Sequence, residues 1–266
     1  MDFKCDTYCC HETHPFIYKL SQKEKEYIQQ IAHDNIYKNK KISINHLELT
    51  QLLNQLNEYF NANPTRHYFL KLNKLSPKDA YYIMTKNSVE DSEEDSDLTL
   101  NDIKRDLDIL HVGFPNNRVG DYCINILLNS DRVYCELSFS DIEENISVLL
   151  LNYKDINHIT ETRCYIQNNK LIGISQYYCD LDNVYSNFNL QEIPNIIKKF
   201  IININTDLIS YVCDIYFDDK FIPHLIELNP FKHSTDSCLF EWEKLDLEPY
   251  EFRYKENKLI KTIPLN

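Results

Sequence analysis

Residues Tyr211 to Glu243 read YVCDIYFDDKFIPHLIELNPFKHSTDSCLFEWE. Tyr211–Phe217 and Phe221–Leu228 are both rich in β-branched and aromatic residues. Asp218-Asp219-Lys220 separates them and forms turns readily, so the pair predicts a β-hairpin. Side chains along a strand alternate between faces, which puts Glu227 and Asn229 on one side and Leu228 on the other. Asp214 falls mid-strand between Cys213 and Ile215, where a carboxylate is costly to bury without a positive partner. Two acids and an amide oxygen on neighbouring strands suit a hard cation such as Mg²⁺, which takes oxygen ligands and commonly shares them with phosphates. The same alternation fits three polar residues on the wet face of an exposed hairpin. Periodicity leaves both readings open.

The rest of the composition narrows the class. A chain of 266 residues with 43% hydrophobic content can bury a sizeable core, as one large domain or two small ones. Gly occurs three times, while Asn, Ile, Lys and Tyr abound, a bias in the manner of low-GC coding. The nine cysteines lack paired CxxC spacing and no signal-peptide-like apolar segment opens the chain, so reduced thiols in a cytoplasmic protein are expected. No apolar run has the length of a membrane span. A net charge of −13 argues against a protein that wraps nucleic acid, though an acidic surface can meet a basic protein partner.

Along the chain, Cys5, Cys9, Cys10, His11 and His14 form a cluster whose spacing matches no standard zinc finger and is read as incidental. Ser21 is the expected N-cap of a helix to Asn35, with Tyr27, Ile28 and Ile31 on its apolar side. A second helix is expected from Ser43 to Pro64, with Leu47, Leu49, Leu52, Leu53, Leu56 and Phe60 as its stripe. Tyr68–Asn73 predicts a short strand. Its Lys71 is either on a wet face or aimed at a phosphate. Asn87–Ser96 is an acidic, Ser-rich solvated loop. Leu98–Leu110 looks helical, and Pro115-Asn116-Asn117 marks a turn. Ser147–Tyr153 predicts a buried strand. Glu161–Ile166 and Lys170–Gln176 predict a hairpin across Asn168-Asn169, since asparagine tolerates left-handed turns. Glu161 and Arg163 are two apart on one face, as a weak surface ion pair or as an arginine held for a phosphate. Leu190–Ile204 predicts a helix with Pro194 in its first turn, packed beneath a sheet.

Several stretches resemble the cell division cycle protein 123 family. Glu227-Leu228-Asn229-Pro230-Phe231, Ser234-Thr235-Asp236-Ser237 and Leu239-Phe240-Glu241-Trp242-Glu243 are similar to its acid-Phe-Asn-Pro-Phe, Thr-Asp-Ser and Leu-Phe-Thr-Trp-Glu-Glu motifs. Leu70–Ala80 resembles its Pro-Lys-Leu-Asn and Ala-Pro-Arg-Asp-Ala motif, continued in aromatic character by Tyr81 and Tyr82. Asn129–Arg132 is weakly similar to its Leu-Leu-Lys-Ser-Ser-Asp stretch. Glu161–Ile166 and Lys170–Gln176 follow the family nearly residue for residue, and Phe252-Arg253-Tyr254 resembles a late family motif. The chain departs at four places. It carries Pro64-Thr65-Arg66-His67 where the family has two glycines, Leu151 and Asn152 where basic residues stand, Tyr177 for an arginine, and Glu227 for an aspartate.

The resemblance implies an α+β, ATP-grasp-like fold: two lobes with antiparallel sheets flanked by helices, and a nucleotide cleft between them. Residues 1–150 would form the N-terminal lobe and 151–266 the C-terminal lobe. It further implies ATP and Mg²⁺ as cofactors. Lys71 and Arg163 would contact phosphate, with Asn73 in the same motif. Leu151, Asn152 and Tyr153 would line the adenine pocket, and Asp214, Glu227 and Asn229 would coordinate the metal. No catalytic residue is implied, and at most weak ATPase or ligase activity. The implied role is a cytoplasmic, monomeric assembly chaperone that binds the γ subunit of translation initiation factor 2. An ATP-grasp carboxylate–amine ligase and a scaffold with a decayed nucleotide site are the alternatives. Removing Asp214 is expected to spare the fold, by relieving repulsion within an acidic cluster.

Overall fold

The structure, a computed structural model, describes residues 16–38, 46–63, 67–73, 75–80, 84, 111–113, 119–140, 145–153, 156, 160–185, 188–245, 247 and 249–265. The Cys5–His14 cluster, Ser43, Pro64, Tyr81 and Tyr82, the acidic loop 87–96, the helix expected at 98–110 and the turn at 115–117 lie outside the described residues. The chain is mixed α+β and divides into two compact units after Lys154, so residues 151–153 belong to the first.

The first unit holds strands β1 (Phe16–Lys19), β2 (His67–Leu72), β3 (His111–Gly113) and β4 (Ser147–Asn152). They form one antiparallel sheet in the order β1-β4-β2-β3. Against it pack α1 (Gln22–Tyr37), α2 (Thr50–Ala62), α3 (Val119–Leu128) and α4 (Asp131–Phe139). α1 starts where its sequence requires. Ser21 accepts from the Glu24 amide, and the Glu24 carboxylate accepts from the Ser21 amide at 2.8 Å, a capping box. Glu24 is buried and also accepts from the Tyr18 hydroxyl at 2.6 Å, which ties the helix start to β1.

The second helix differs from its expected form. A 3₁₀ turn, His46–Leu49, precedes α2, and Leu47 is 77% exposed. The change of helical pitch rotates Leu47 off the stripe, while Leu49, Leu52, Leu56 and Phe60 are buried in one cluster with Tyr68, Leu70 and Leu150. α4 is capped by Ser130, whose hydroxyl donates to Asp79 at 2.6 Å, and the Arg132 amide donates to the same carboxylate. Two stretches of the sequence, around Asp79 and around Ser130, therefore meet to close one helix end.

The second unit carries β5 (Thr162–Gln167), β6 (Lys170–Gln176), β7 (Tyr211–Phe217), β8 (Pro223–Pro230), β9 (Glu251–Glu256) and β10 (Leu259–Pro264). Their order is β10-β9-β6-β5-β7-β8. β6 and β9 run parallel, so this sheet is mixed and not wholly antiparallel as expected. The cause is the connection: the chain leaves β5–β8 and returns along the far edge before turning back as β10. The β5–β6 turn places Asn168 and Asn169 at φ 50° and 61°, and the β9–β10 turn does likewise with Asn257 and Lys258 at 54° and 60°. Such left-handed pairs match the twist of a two-residue hairpin. The sequence showed the first turn and not the second, where a lysine takes the place that glycine usually fills.

Both faces of this sheet are covered, which explains why Thr162 to Ile166 are buried without alternation. One face packs on α5 (Ile193–Ile201, with Pro194 in its first turn) through Cys164, Ile174, Cys213, Ile215 and Phe252. The other is covered by the segment from Phe231 to Leu245 and not by a helix. There Phe240 and Trp242 lie edge-on to Tyr165, and the Trp242 indole donates to the Thr235 carbonyl at 2.7 Å. The Phe240 ring reaches so near Gly173 that a Cβ there would sit 3.1 Å from it.

The capping box yields a graded prediction. Ser21→Ala should lower unfolding free energy by about 1 kcal/mol. Glu24→Ala should cost more, about 2 kcal/mol or above, because it also strands the buried Tyr18 hydroxyl. Urea denaturation of the two variants checks the order; an equal cost would show that the Tyr18 contact contributes nothing.

Candidate functional site

The expected metal hairpin is β7 and β8, but its second strand begins at Pro223. Asp218 keeps Phe221 and Ile222 in the turn: its carboxylate accepts from the Lys220 and Ile222 amides at 2.9 and 2.8 Å, and Phe221 takes φ 61°. Those backbone bonds, with His224 beside them, hold the Asp218 carboxyl below the usual carboxylate range.

The ladder of β7 and β8 then slips by one residue. Ile215 faces Leu225, whereas Asp214 faces Glu227, so Ile226 is an extra residue in β8. The sequence demands this slip. Leu225 and Leu228 both pack on the core side of the sheet, yet they are three apart, and strict alternation would send them to opposite faces. The bulge keeps both inside and sets Glu227 directly across from Asp214, as bulges beside functional sites commonly re-aim a side chain.

Directly opposed residues share a face, and the pairings trace one row across five strands: Arg253, Ser175, Arg163, Asp214 and Glu227. Arg163 is 5% exposed and Asp214 0%. Their contact is a two-pronged fork, Nε to Oδ1 and Nη2 to Oδ2, each 2.8 Å. The Arg163 Nη1 donates to the Asp236 carbonyl at 2.9 Å, and the guanidinium lies 4.8 Å from the centre of the Tyr177 ring. Arg163 therefore pairs with Asp214 across the ladder in the interior, and of the two readings open from sequence the weak surface ion pair is set aside. Glu161 is itself buried and raises the pKa of Asp214. Tyr177, which stands where an arginine was expected by resemblance, supplies a ring beneath the guanidinium.

Asn229 completes the cluster. Its amide nitrogen donates to Asp214 Oδ2 at 3.1 Å and to Glu227 Oε1 at 3.4 Å, so it bridges the two acids. Burial, against the pull of Arg163 and with Glu227 and Glu161 acting in the same sense, pushes the Asp214 carboxyl up to about 6. Burial works against the charge of Arg163, but Asp214 outweighs it and holds the guanidinium more firmly protonated. Glu227 and Glu161 therefore lie near enough to Asp214 to disfavour its charge, while Arg163 favours it. Among the described residues no three His, Cys, Asp or Glu side chains gather as a metal-binding group. The oxygens available here are those of the Asp214 and Glu227 carboxylates and the Asn229 amide oxygen, which would reach a cation only after its side chain turned over. That set suits a hard cation such as Mg²⁺.

Sequence reasoning quoted Ser175 and Arg253 without assigning them a part. Ser175 Oγ accepts from the Leu239 amide at 3.1 Å, and Arg253 Nη1 donates to the Leu239 carbonyl at 3.0 Å while its guanidinium covers the Phe240 ring. Together they hold the Phe231–Leu245 segment on the face that carries the site. Spacing gave no signal for them: Lys170 and Gln176 stand at odd offsets from Ser175, and Arg253 sits between two aromatic residues.

The remaining expected residues lie in the first unit. Lys71 is 4% exposed, on the sheet face it shares with Phe69, Leu149 and Leu151 and opposite the core residues Leu70 and Leu72. The wet-face reading of this lysine is set aside. Asn73, at φ 47°, spends its side chain locally: Oδ1 accepts from the Ser147 amide at 2.6 Å and Nδ2 donates to the Asn145 carbonyl. Its visible work is to start β4. Leu151 and Asn152 pair with Phe69 and Tyr68, and the Tyr153 amide donates to the His67 carbonyl at 2.9 Å. The Tyr153 amide is therefore committed within the sheet.

A mixed α+β protein with an acidic, arginine-braced row on its second sheet is the class that fold and site define. The chain belongs to the D123 family, whose family model matches residues 11–263. It is 29% identical over 206 residues to a translation initiation factor eIF2 assembly protein of Candida albicans, covering 73% of this chain and 53% of that one. It is 32% identical over 182 residues to the protein of the same name from Xenopus laevis, covering 66% and 48%. The chain thus spans about half the length of these relatives. The structure of Cdc123 from Schizosaccharomyces pombe shares the fold, with a TM-score of 0.60 at 18% identity over 91% of this chain and 88% of that one. Among the described residues no helix is long and apolar enough to cross a membrane.

The pairing reverses the expectation that removing Asp214 spares the fold. Asp214→Ala leaves a buried guanidinium without its partner and should cost about 3–5 kcal/mol. Glu227→Gln should change stability by less than about 1 kcal/mol, since it relieves the repulsion with Asp214. Chemical denaturation in the presence of a chelator reads both; equal stabilities for wild type and Asp214→Ala would remove the ion pair from the fold's support.

Proposed function

We propose that this chain binds Mg-ATP in an ATP-grasp-like site and acts in the cytoplasm in assembly of translation initiation factor eIF2, through its γ subunit. The observation that carries the nucleotide part is the convergence of Asp214, Glu227 and Asn229 on two neighbouring strands, with an arginine oriented beside them. Asp214, Glu227 and Asn229 would hold the cation, which would bring phosphate oxygens against the acidic row. Arg163 would brace Asp214 and offer what its fork leaves over to the phosphate. Lys71, kept in a buried position on the first sheet, would supply a second cation for phosphate, as a lysine in such a place does. Leu151 and Tyr153 would give apolar and flat surface to the base.

Support for the assembly role comes from the relatives, which are named eIF2 assembly proteins, together with the family membership of the whole matched region. The alternative of a decayed site draws on one observation: all three directions of the Arg163 guanidinium are engaged by Asp214, the Asp236 carbonyl and Tyr177. The ligase alternative has no such support.

Calorimetric titration of ATP with and without Mg²⁺ tests the reading. Mg-dependent binding by the wild type, weakened at least tenfold in Lys71→Ala and in Glu227→Gln, is expected, about 1.4 kcal/mol or more. The same protein should capture the γ subunit of the factor from solution. Absence of nucleotide binding by folded wild type would favour the decayed scaffold, and nucleotide binding without capture of the γ subunit would separate the site from the assembly role.

A further inference from the structure

Six cysteines among the described residues are free thiols, and four of them form two pairs in the second unit. Cys164 and Cys213 oppose each other directly across β5 and β7, and both are fully buried. Cys179 and Cys238 are half-buried. Cys179 follows β6, while Cys238 belongs to the Phe231–Leu245 segment that covers the face of the acidic row. Their sulfurs converge on one acceptor: the Tyr177 carbonyl accepts from Cys179 at 3.5 Å and from Cys238 at 3.7 Å. Hydrogen bonding between the two thiols, together with burial, pushes Cys238 above the usual thiol range.

Fixed backbone presents both sulfurs. Cys238 has φ 51°, a left-handed value uncommon for a residue that carries a Cβ. The Asp236 carboxylate holds it there by accepting from the Cys238 amide at 2.8 Å, and the Ser237 carbonyl closes the turn on the Phe240 amide. Backbone held in a sparsely populated region beside a reactive side chain points to a use for that side chain. On the other side, the Gln176 amide group donates to the Tyr178 and Leu181 carbonyls at 2.6 and 2.7 Å, which ties the loop of Cys179 to the end of β6. The acidic row uses neither thiol.

We propose that Cys179 and Cys238 are a redox modification site, a thiol pair that oxidised glutathione closes to an intramolecular disulfide, clasping the Phe231–Leu245 segment to the end of β6. Cys179 attacks one sulfur of oxidised glutathione, which forms a mixed disulfide and releases one glutathione thiol. Cys238 then attacks the Cys179 sulfur and releases the second. The pair gives up two electrons and two protons, and the two glutathione thiols carry them away. Because the Cys238 thiol ionises reluctantly, it takes the second attack, where its partner is already at hand. Cys164 and Cys213, enclosed between the two covered faces of the sheet, stay out of the oxidant's reach. The clasp falls next to the Tyr177 ring and the Asp236 carbonyl, both of which contact Arg163. It does not depend on nucleotide binding. In the compartment proposed above the pair rests as thiols and closes when the glutathione pool is oxidised.

The test treats the whole chain with oxidised glutathione, alkylates the remaining thiols with iodoacetamide, and maps the peptides by mass spectrometry without reduction. A peptide linking Cys179 to Cys238 is expected, with Cys164 and Cys213 alkylated only after unfolding. The linked wild type should unfold at a higher urea concentration than the reduced protein, since the bridge closes a long loop, and dithiothreitol should reverse the shift. Cys238→Ser should show no such shift. Recovery of Cys179 and Cys238 as separate alkylated or glutathione-bearing peptides would overturn the proposal, as would a link from either to a different cysteine. Equal urea midpoints for linked and reduced wild type would overturn the clasp.

Discussion

The second unit is organised by the buried fork between Arg163 and Asp214. Neither charge could stay in the interior alone, since desolvation of an isolated ion costs several kcal/mol. Paired, they fix two adjacent strands in register, and the third donor of Arg163 reaches the Asp236 carbonyl, which anchors the segment that covers this face. Ser175 and Arg253 extend the same polar row to β6 and β9 and fasten that segment at Leu239. The aromatic cluster of Tyr165, Phe240 and Trp242 fills the space next to the row. Polar and apolar support are therefore side by side on one face, and neither is complete without the other.

The pair also sets the electrostatics. Arg163 satisfies one carboxylate, while Glu227 and Glu161 remain close enough to push the Asp214 proton affinity up. The amide of Asn229 bridges Asp214 and Glu227 and holds the two acids together on this face. The same geometry makes Asp214 a residue of both fold and site, so a change there alters stability along with any ligand affinity.

Much of this was legible in the sequence, for physical reasons that differ from place to place. The hairpin at Asn168-Asn169 was readable because two residues that tolerate left-handed backbone sit between alternating strands. α1 was readable from Ser21 as an N-cap and from the apolar spacing of Tyr27, Ile28 and Ile31, while the capping-box part of Glu24 emerged with the structure. The bulge at Ile226 was less visible, although Leu225 and Leu228, three apart and both inward, encode it. The partner of Arg163 was out of reach, because sequence spacing favours Glu161 while the cross-strand neighbour is set by a pairing 51 residues away. The parallel β6–β9 contact was hidden for the same reason. Lys71 shows the limit of pattern: a lysine in a strand reads as wet, and only the packed sheet shows it buried.

A double-mutant cycle on Arg163 and Asp214 tests this account most directly. Unfolding free energies of wild type, Arg163→Leu, Asp214→Leu and the double variant would be measured by urea denaturation with a chelator present. The account predicts that the double variant loses less than the sum of the single losses, with a coupling of about 2 kcal/mol or more, because each single change strands a buried charge and the double change strands none. Additive losses would contradict it: the two residues would then be independent contributors, and the row across the sheet would have no ionic pivot.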